Sequence, residues 1–468
     1  MSGSGEPWCL GVAGLSDLLA HRAVSPVELL DLYLARIERI NPAINAIVAI
    51  DGEVRATAAE SERRWAAGES RSALEGIPLT IKDNIHVRGL PTTWGSRMFR
   101  DVVPTRDELP VARLRAAGAV ILGKTNCPEF TLEGYTDNPL FGVTRNPWDT
   151  DLTPGGSSGG AVASVAAGLA PAAIGTDGGG SIRRPASHTG LVGLKPSTGL
   201  VARDHGLPQV LLDFEAVGPM ARTVADVRLL LDVMAGPHRR DRKSLCAAPA
   251  APPPDPVRLL YVPCFGDNPL DPEIAESCAA AARAFSDLSC AVEEGPLPFD
   301  VAPVAEIWPV FAEVAVAFLL DQNPVRRDEA AEKFIAMAER GEAIPAHRYL
   351  DAIETVNRFR RTVSDAFLEI DVIMTPSAAA LPWPAAEPFP PEIDGQPVGP
   401  RGHAVYTAWV NACGHPGINL PAAPSAGGLP IGFQLIGDFG ADGLLLDLAA
   451  RFEAAHPWAD RWPALSEL

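Results

Sequence analysis

The chain has 468 residues, of which 47% are hydrophobic and 21% are charged. This length and composition suffice for one large domain or two medium ones around a sizeable core, and they exclude a disordered chain. The 58 acidic residues outnumber the 39 basic ones and give a formal net charge of −19. No basic footprint is present, which argues against nucleic acid as a partner.

The seven cysteines are scattered, odd in number and never paired as CxxC. This spacing argues against a disulfide framework and a zinc site, and reduced thiols in a cytoplasmic protein are the simpler interpretation. The first residues show no basic segment followed by an apolar run, so we expect no signal peptide. No stretch approaches the ~20 apolar residues of a membrane helix, and we expect a soluble protein that does not bind a membrane.

The first two predicted elements are helices. Ser25, Pro26 and Glu28 supply a capping serine, a proline at the first helical position and a glutamate at the third. Apolar residues then recur at helical spacing as far as the Asn-Pro pair at 41–42, where we expect this helix to end. A second helix is predicted over residues 54–67, which are rich in alanine and charged on one side.

Further along the chain, short apolar runs alternate with helical patterns. A helix over 110–117 that ends at Gly118 precedes a buried strand over 119–122, which predicts α/β winding. Another helix is predicted over 224–235. The remaining predicted strands are short apolar runs, at 77–81, 257–262, 371–374 and 431–436. We interpret the proline-rich stretch 247–256 as an exposed crossover.

The most informative region is the glycine- and serine-rich segment 154–199. Two clusters, at 155–160 and 178–181, bracket an alanine-rich apolar stretch to which we assign helical character. Glycine clusters are kept where the chain needs unusual dihedral angles or the close approach of another group. Successive N–H groups in such a turn can converge on a developing oxyanion, and a serine hydroxyl beside them is a candidate nucleophile.

Three other interpretations of these clusters are weaker. Ordinary tight turns explain one such cluster better than two that are joined by a helix. A phosphate-binding loop requires GxxxxGK[ST], and no lysine follows either cluster at that spacing. Residues 155–159 fit the GxSxG elbow of α/β-hydrolases around Ser157, but that motif needs a preceding strand, and residues 146–154 are loop-like.

The segment 154–199 resembles the defining motif of the amidase signature family at nearly every position. Further resemblances lie at 76–84, 118–126 and 428–437, so that most of the chain apart from about 240–400 is covered. The resemblance implies an α/β fold in a single large domain, with a mixed, multi-stranded β-sheet flanked by helices on both faces. The expected parts of this domain (1–468) are N-terminal helices (1–70), a catalytic core (71–240), a variable substrate-pocket region (241–400), and C-terminal core strands and a helix (401–468).

The resemblance also implies roles for individual residues. Ser181 would be the nucleophile, Ser157 a proton relay with a cis peptide bond, and Lys82 the base. Lys82 can serve as a base only when it is neutral, and its place after an apolar run is consistent with the burial that lowers a lysine pKa. The implied oxyanion hole consists of four main-chain N–H groups, those of Gly178, Gly179, Gly180 and Ser181.

Several neighbouring residues are interpreted as structural support. Asp177 and Arg183 flank the nucleophile, and a bridge between them would hold the oxyanion turn in shape. Ser158 would belong to the same network. Lys124 and Lys195 stay open as alternative bases, since the chain has only five lysines. Three residues are interpreted as filling the interior rather than as catalysts, namely His188, Cys127 and Cys413.

The reaction that the resemblance implies is hydrolysis of the C–N bond of a small linear carboxamide, with no metal and no cofactor. Aromatic residues between 300 and 410 favour an apolar or aromatic acyl group, and they are Trp308, Phe311, Phe318, Trp383, Tyr406 and Trp409. The expected partner is therefore a small-molecule amide, with no nucleic acid and no membrane. A homodimer stays open.

Two other functions stay open as well. The glutaminase component of a glutamine-dependent tRNA amidotransferase, its A subunit, shares the same core, but the resemblance implies that such proteins bind the glutamine amino group through an aspartate before an Ile-Tyr-Thr segment. In this chain Ala404 precedes the corresponding residues 405–407. A non-catalytic descendant of the fold would not need to keep Lys82, Ser157 and Ser181 together.

Overall fold

The computed structural model of the protein describes residues 6–246 and 255–467. The α-helices in these ranges are α1 (Val12–Ala20), α2 (Pro26–Ile44), α3 (Val54–Ala67), α4 (Leu109–Ala116), α5 (Gly159–Ala166), α6 (Arg183–Thr189), α7 (Val224–Met234), α8 (Pro272–Asp287), α9 (Ala302–Asp321), α10 (Glu332–Glu342), α11 (Ala346–Ala366), α12 (Ala408–Cys413) and α13 (Asp442–Ala455). The strands are β1 (Ile47–Ile50), β2 (Pro78–Lys82), β3 (Val120–Thr125), β4 (Ala172–Asp177), β5 (Val192–Lys195), β6 (Ala216–Ala221), β7 (Val257–Tyr261), β8 (Cys290–Glu294), β9 (Val372–Pro376), β10 (Glu392–Ile393), β11 (Gln396–Pro397), β12 (Gly417–Pro421) and β13 (Gly432–Gly437).

Eleven of these strands form one sheet in the order β1-β3-β2-β4-β6-β5-β12-β13-β9-β7-β8. Strand β2 runs parallel to β3 and β4, and β7 runs parallel to β8 and β9. The other neighbouring strands are antiparallel. Every residue of β2, β3, β4 and β6 is buried, because helices flank the sheet on both faces. The α/β fold with one mixed sheet is thereby confirmed.

The predicted beginning of α2 is confirmed, but its predicted end is wrong. The Glu28 N–H donates to Ser25 Oγ, and the Glu28 carboxylate accepts the Ser25 N–H at 2.8 Å. The helix continues through Pro42 to Ile44, because a proline in the last turn loses only one backbone hydrogen bond. Asn41 ends the helix instead, since its side-chain oxygen accepts the N–H groups that follow the last turn.

The apolar stretch between the two glycine clusters is only partly helical. Helix α5 ends at Ala166, and residues 172–177 form the buried strand β4. Gly168, at φ +66°, and Pro171 separate the two elements, because neither residue favours continuing a helix. The helical assignment of the whole stretch is therefore wrong in its second half.

The expectation that no segment is as long and apolar as a membrane helix is wrong for helix α9. It has 20 residues with a mean hydropathy of 1.7 in its most apolar window, and half of that window is buried. The helix packs against α10 and α11, so its apolar residues line an interior boundary between helices. The predicted crossover 247–256 lies, apart from its last two residues, outside the described residues.

Candidate active site

Two parallel strands bring the first polar groups of the site together. Strand β2 ends at Lys82, and its parallel neighbour β4 ends at Asp177. Because the carboxyl ends of parallel strands meet at the same edge of a sheet, the Lys82 side chain lies beside Thr176, the penultimate residue of β4.

The Lys82 side chain is fully buried. Its ammonium Nζ donates to Ser157 Oγ at 2.8 Å, to Thr176 Oγ1 at 3.0 Å and to Thr176 O at 3.3 Å. Burial is the main cause that lowers the pKa of Lys82 to about 8, and the positive charge of Arg203 adds to this lowering. The lowered pKa makes the free amine, which can accept a proton, easier to reach at neutral pH than in an ordinary lysine.

Ser157 lies in a turn that only glycines can build. Gly155 has φ +83°, and a Cβ added at Gly156 would lie 2.5 Å from the Tyr135 carbonyl oxygen. The peptide bond between Gly156 and Ser157 is cis, as the resemblance implied. Ser157 is buried, and its hydroxyl is the one that Lys82 contacts.

Ser181 is held beside these residues through the main chain. The Ser158 N–H donates to the Ser181 carbonyl at 3.2 Å, and Ser158 Oγ donates to Thr176 O at 3.2 Å. Ser181 keeps 7% of its surface accessible. The described residues show no hydrogen bond between the Ser157 and Ser181 hydroxyls, so of these two serines only Ser157 contacts Lys82 directly.

The second glycine cluster narrows the set of predicted oxyanion donors. Gly180, at φ +110°, donates its N–H to Asp177 Oδ1 at 2.6 Å. Because this N–H already donates to Asp177, it is not available to an oxyanion, and Gly180 is not one of the donors. The N–H groups of Gly178, Gly179 and Ser181 have no hydrogen-bond partner in the part of the chain that the structure describes.

Asp177 and Arg183 form the bridge that was expected beside Ser181. Both side chains are fully buried, with Arg183 Nε 3.0 Å from Asp177 Oδ2 and Nη2 3.1 Å from Oδ1. Burial raises the pKa of Asp177, but the charge and hydrogen bonds of Arg183 outweigh it and hold this pKa well below its usual range. Arg183 also donates to Asn411 Oδ1 at 2.6 Å and to Gln434 Oε1 at 2.8 Å, which anchors the turn to helix α12 and strand β13.

The sequence analysis missed three polar residues of this site. Thr176 accepts the Lys82 hydrogen bond, and Thr407 and Arg184 both donate to the Gly179 carbonyl, at 2.8 Å and 2.5 Å. Thr176 and Arg184 could have been found from their positions, since each is adjacent in sequence to a member of the bridge. Thr407 lies more than 200 residues away, and its segment 405–407 was compared with the Ile-Tyr-Thr segment only for the residue that precedes it.

The alternative bases lie elsewhere. Lys124 donates to the carbonyls of Asp83 and Ile85, at 3.3 Å and 2.8 Å, and the Lys195 ammonium donates to Pro196 O at 2.9 Å. His188 is buried, and burial lowers its pKa to about 4. Within the described residues none of these three side chains forms a hydrogen bond with Ser157 or Ser181.

A cavity of about 500 Å³ is lined by Trp308 but by no residue of the second glycine cluster. Trp308 separates the two, because it lines the cavity while its Cζ2 would lie 3.0 Å from a Cβ added at Gly179. Trp409 also lines the cavity, and Phe318 is exposed. The other three aromatic residues expected at a pocket are buried but are not among the cavity walls, and they are Phe311, Trp383 and Tyr406.

Cys127 and Cys413 are buried free thiols. Across residues 6–246 and 255–467, no three His, Cys, Asp or Glu side chains lie together in a way that could hold a metal ion. The site combines the Ser157 and Ser181 hydroxyls, the Lys82 amine and main-chain N–H groups, which are groups that acyl transfer uses.

Comparisons with known proteins point to one family. A family model described as Amidase matches residues 28–446. An acylamidase of Rhodococcus erythropolis is 36% identical over 477 residues, with 97% of each chain covered. The A subunit of the glutamyl-tRNA(Gln) amidotransferase of Synechococcus sp. (strain WH7803) is 37% identical over 483 residues, covering 95% of this chain and 97% of the relative. Among solved structures, 6-aminohexanoate cyclic dimer hydrolase with its substrate superimposes with a TM-score of 0.89 at 29% identity, covering 98% of this chain and 99% of that one.

Proposed function

The chain belongs to the amidase signature family, and on that premise we propose that it is a stand-alone amidase. It hydrolyses the C–N bond of a small linear carboxamide through a serine acyl-enzyme. Ser181 is the nucleophile, Ser157 relays protons and Lys82 is the general base and acid.

In the acylation step, Ser181 Oγ attacks the amide carbonyl carbon. The Ser181 proton passes to Ser157 Oγ while the Ser157 proton passes to the neutral Lys82 amine, 2.8 Å away. Main-chain N–H groups of Gly178, Gly179 and Ser181 stabilise the oxyanion, and losing one such donor typically costs ~2.7–4 kcal/mol of activation free energy. The C–N bond then breaks as the proton returns through Ser157 to the leaving nitrogen.

In the deacylation step, a water molecule takes the place of the leaving amine. The relay removes one proton from this water as its oxygen attacks the ester carbonyl. The bond between the acyl carbon and Ser181 Oγ breaks, and the proton returns to that oxygen. The products are a carboxylic acid and ammonia or an amine, and the enzyme regains its starting protonation state.

One observation carries this proposal: a fully buried lysine whose pKa is lowered to about 8 donates directly to Ser157. A buried lysine without a carboxylate at hydrogen-bond distance is expensive unless its neutral form is used. The Lys82 partners are two hydroxyls and one carbonyl. Such a neutral environment suits a proton acceptor rather than a structural ion pair.

The second candidate function is that of the glutaminase component of a glutamine-dependent amidotransferase, which relatives at similar identity support. The residue at the position implied for the amino-binding aspartate is Ala404, and it lines the cavity. An alanine offers no charge to the α-ammonium of glutamine. This observation favours an enzyme that acts on simple amides without a partner complex.

Covalent labelling tests the proposed roles of the two serines. A fluorophosphonate probe followed by peptide mapping should modify Ser181 and leave Ser157 unmodified. A Ser158→Ala variant is the matched control, because its hydroxyl donates to Thr176 and is not expected to react. Label on Ser157 would instead support the GxSxG elbow and overturn the proposal.

Turnover by the purified chain tests the choice between the two functions. Ammonia release from a panel of simple carboxamides should exceed that from glutamine at equal concentration. Efficient release from glutamine with no release from simple carboxamides would assign the chain to the amidotransferase class. Ring opening of a cyclic amide faster than any linear one would correct the linear substrate class, since one structural neighbour acts on a cyclic dimer.

A further inference from the structure

The three hydrogen-bond partners of Lys82 differ in what they can do. Thr176 supplies two of them, its hydroxyl Oγ1 at 3.0 Å and its carbonyl oxygen at 3.3 Å, and Ser157 Oγ supplies the third at 2.8 Å. The carbonyl oxygen can only accept a hydrogen, whereas each hydroxyl can accept one or donate its own. The orientation of the two hydroxyls therefore determines which of them faces the lone pair of the Lys82 nitrogen.

The free amine of Lys82 needs a different arrangement of hydrogens from the ammonium. An ammonium has three hydrogens, which match the three acceptors around Lys82. The free amine has two hydrogens and one lone pair, and it can take the Ser157 proton only when this lone pair faces Ser157 Oγ. Both amine hydrogens must then go to Thr176. A lone pair that faced the Thr176 hydroxyl would leave Ser157 without a proton acceptor.

Asn84 makes the Thr176 hydroxyl an acceptor. The side-chain nitrogen Nδ2 of Asn84 donates to Thr176 Oγ1 at 3.0 Å, and Asn84 is 2% exposed. The hydroxyl thus lies between two nitrogen donors, Nδ2 of Asn84 and Nζ of Lys82. An oxygen that accepts from both nitrogens uses both of its lone pairs, so its own hydrogen points away from Lys82.

A carboxylate on the other side of Asn84 sets the orientation of its amide. Nδ2 also lies 3.5 Å from Glu215 Oε2. Glu215 forms an ion pair with Arg203, which also pairs with Glu108 at 2.6 Å. Because the amide lies between a carboxylate and a hydroxyl, its donor nitrogen rather than its oxygen contacts Thr176.

We propose that Thr176 and Asn84 are positioning residues for the general base. Thr176 accepts both hydrogens of the free Lys82 amine and so directs its lone pair to Ser157, and Asn84 fixes the Thr176 hydroxyl as an acceptor. In acylation the Ser157 proton moves to this lone pair, and the resulting ammonium again donates to all three acceptors. The inference rests on the proposed amidase function and adds two residues that act through Lys82.

A threonine-to-valine substitution tests the role of the hydroxyl. Thr176→Val keeps the shape of the side chain, but the second amine hydrogen must then go to Ser157 Oγ. We expect kcat on an uncharged amide to fall about 10- to 100-fold at unchanged KM, as misplacement of a catalytic group does, and Thr176→Ser to recover most of this loss. Thr80→Val is the matched control and should keep wild-type kcat, because Thr80 is an equally buried threonine of β2 whose hydroxyl contacts Ser164.

The pH profile separates positioning from a general loss of structure. In Thr176→Val the ammonium keeps only two acceptors for three hydrogens, so the midpoint of kcat/KM should move about one pH unit below that of the wild type. Four other groups act on the Lys82 charge, and they are Glu215, Asp177, Cys127 and Arg203. The substitution changes none of them. A kcat near the wild-type value, or a lower kcat with an unmoved midpoint, would overturn the inference.

A double substitution tests whether Asn84 acts through Thr176. Asn84→Leu alone should lower kcat about tenfold, because the Thr176 hydroxyl can then turn its hydrogen toward Lys82. In the Thr176→Val protein the same substitution should cause no further fall, since the hydroxyl is absent. Losses that multiply would show a separate role of Asn84 and overturn its part in the inference. Asn84→Ala repeats the comparison if circular dichroism shows that the leucine variant does not fold.

The failure of this inference differs from that of the amidase proposal. Wild-type protein that hydrolyses simple amides, with Thr176→Val equally active, would be an amidase whose base needs no such positioning. Wild-type protein that hydrolyses no amide and takes no fluorophosphonate label would overturn the amidase function, and the inference with it.

Discussion

At the scale of single residues, Lys82 is the group on which the proposed chemistry depends most. Replacing Lys82 with alanine removes both the proton acceptor for attack and the donor to the leaving nitrogen. We expect kcat/KM on a simple amide to fall by at least ~10²–10⁴-fold. Arginine should fail as badly, because its guanidinium does not deprotonate in the accessible pH range.

Steady-state kinetics on the Lys82→Ala and Lys82→Arg variants measure this loss. Lys243→Arg is the matched control, since Lys243 is exposed, and it should keep wild-type activity. Near-normal turnover by Lys82→Arg, with the fold intact by circular dichroism, would exclude Lys82 as the base. Lys195 would then be the next residue to test, because burial lowers its pKa to about 8 as well.

The lowered pKa of Lys82 also predicts how kcat/KM changes with pH. In the proposed mechanism the free amine is the active form, and burial lowers the pKa of Lys82 to about 8. The value of kcat/KM should therefore rise about tenfold per pH unit below this pKa and level off above it. The measurement is a pH profile on an uncharged amide, so that only the enzyme titrates.

The same profile distinguishes a lysine from a histidine base. Burial lowers the pKa of His188 to about 4, so catalysis by His188 would give a rate that is flat across the neutral range. A profile that falls as pH rises through about 8 would show that the charged form of Lys82 is required, and it would contradict the proposed role.

At the scale of elements, α9 shows how one helix can resemble a membrane span and still belong to the core. Phe311 is 1% exposed and packs edge-on against Phe214 and Tyr349, whereas Phe318 on the same helix is 47% exposed. We expect Phe311→Ala to lower the free energy of unfolding by ~3–5 kcal/mol, because it leaves a cavity in the core.

Urea denaturation of the two variants checks this prediction. Phe318→Ala is the internal control and should change the free energy of unfolding by at most ~0.5 kcal/mol, as exposed substitutions usually do. If Phe318→Ala destabilised the protein as much as Phe311→Ala, α9 would be buried on both sides, against some surface that the single chain does not provide.

The elements differ in how far the sequence alone could predict them. The capping box at Ser25 and the limits of α3 were predictable, because a cap and a periodic pattern are local properties. The end of α2 was not predictable, because the helix tolerates Pro42 in its last turn. The Asn41 side chain accepts the N–H groups that follow this turn. Strand β4 was not predicted, because an alanine-rich run is compatible with a helix as well as with a buried strand.

The candidate site was likewise predictable from the sequence only in part. The motifs indicate Lys82, Ser157 and Ser181, but only the folded chain shows that the Gly180 N–H is taken by Asp177. The partners of Arg183 at Asn411 and Gln434 lie more than 200 residues away in sequence. Such contacts depend on strand order, which no local pattern reveals.

At the scale of the whole molecule, the strand order means that the site depends on both the N-terminal and the C-terminal parts of the chain. Strands β12 and β13 lie between β5 and β9, and Gln434 of β13 anchors Arg183. A fragment of residues 1–240 contains Lys82, Ser157 and Ser181 but lacks these strands. We expect it to take no fluorophosphonate label, because the turn before Ser181 loses its support.

Labelling of the fragment beside the full chain under equal conditions measures this effect. Co-expression with residues 241–468 should recover some labelling if the two parts associate, and it provides the positive control. A fragment 1–240 that labelled at the rate of the full chain would show that the catalytic turn does not need the C-terminal strands.

The hydrogen bond between Arg183 and Gln434 also determines when, during synthesis of the chain, the site is complete. A ribosome adds about 5–20 residues per second, so roughly ten seconds to a minute passes between the synthesis of Arg183 and that of Gln434. Throughout that interval the nascent chain carries Ser181 on a turn that lacks its last hydrogen bonds. Strand β5 meanwhile has an unpaired edge where β12 will later add. We therefore expect the proposed activity to arise late in biosynthesis, and until then the exposed edge of β5 is open to pairing with another strand.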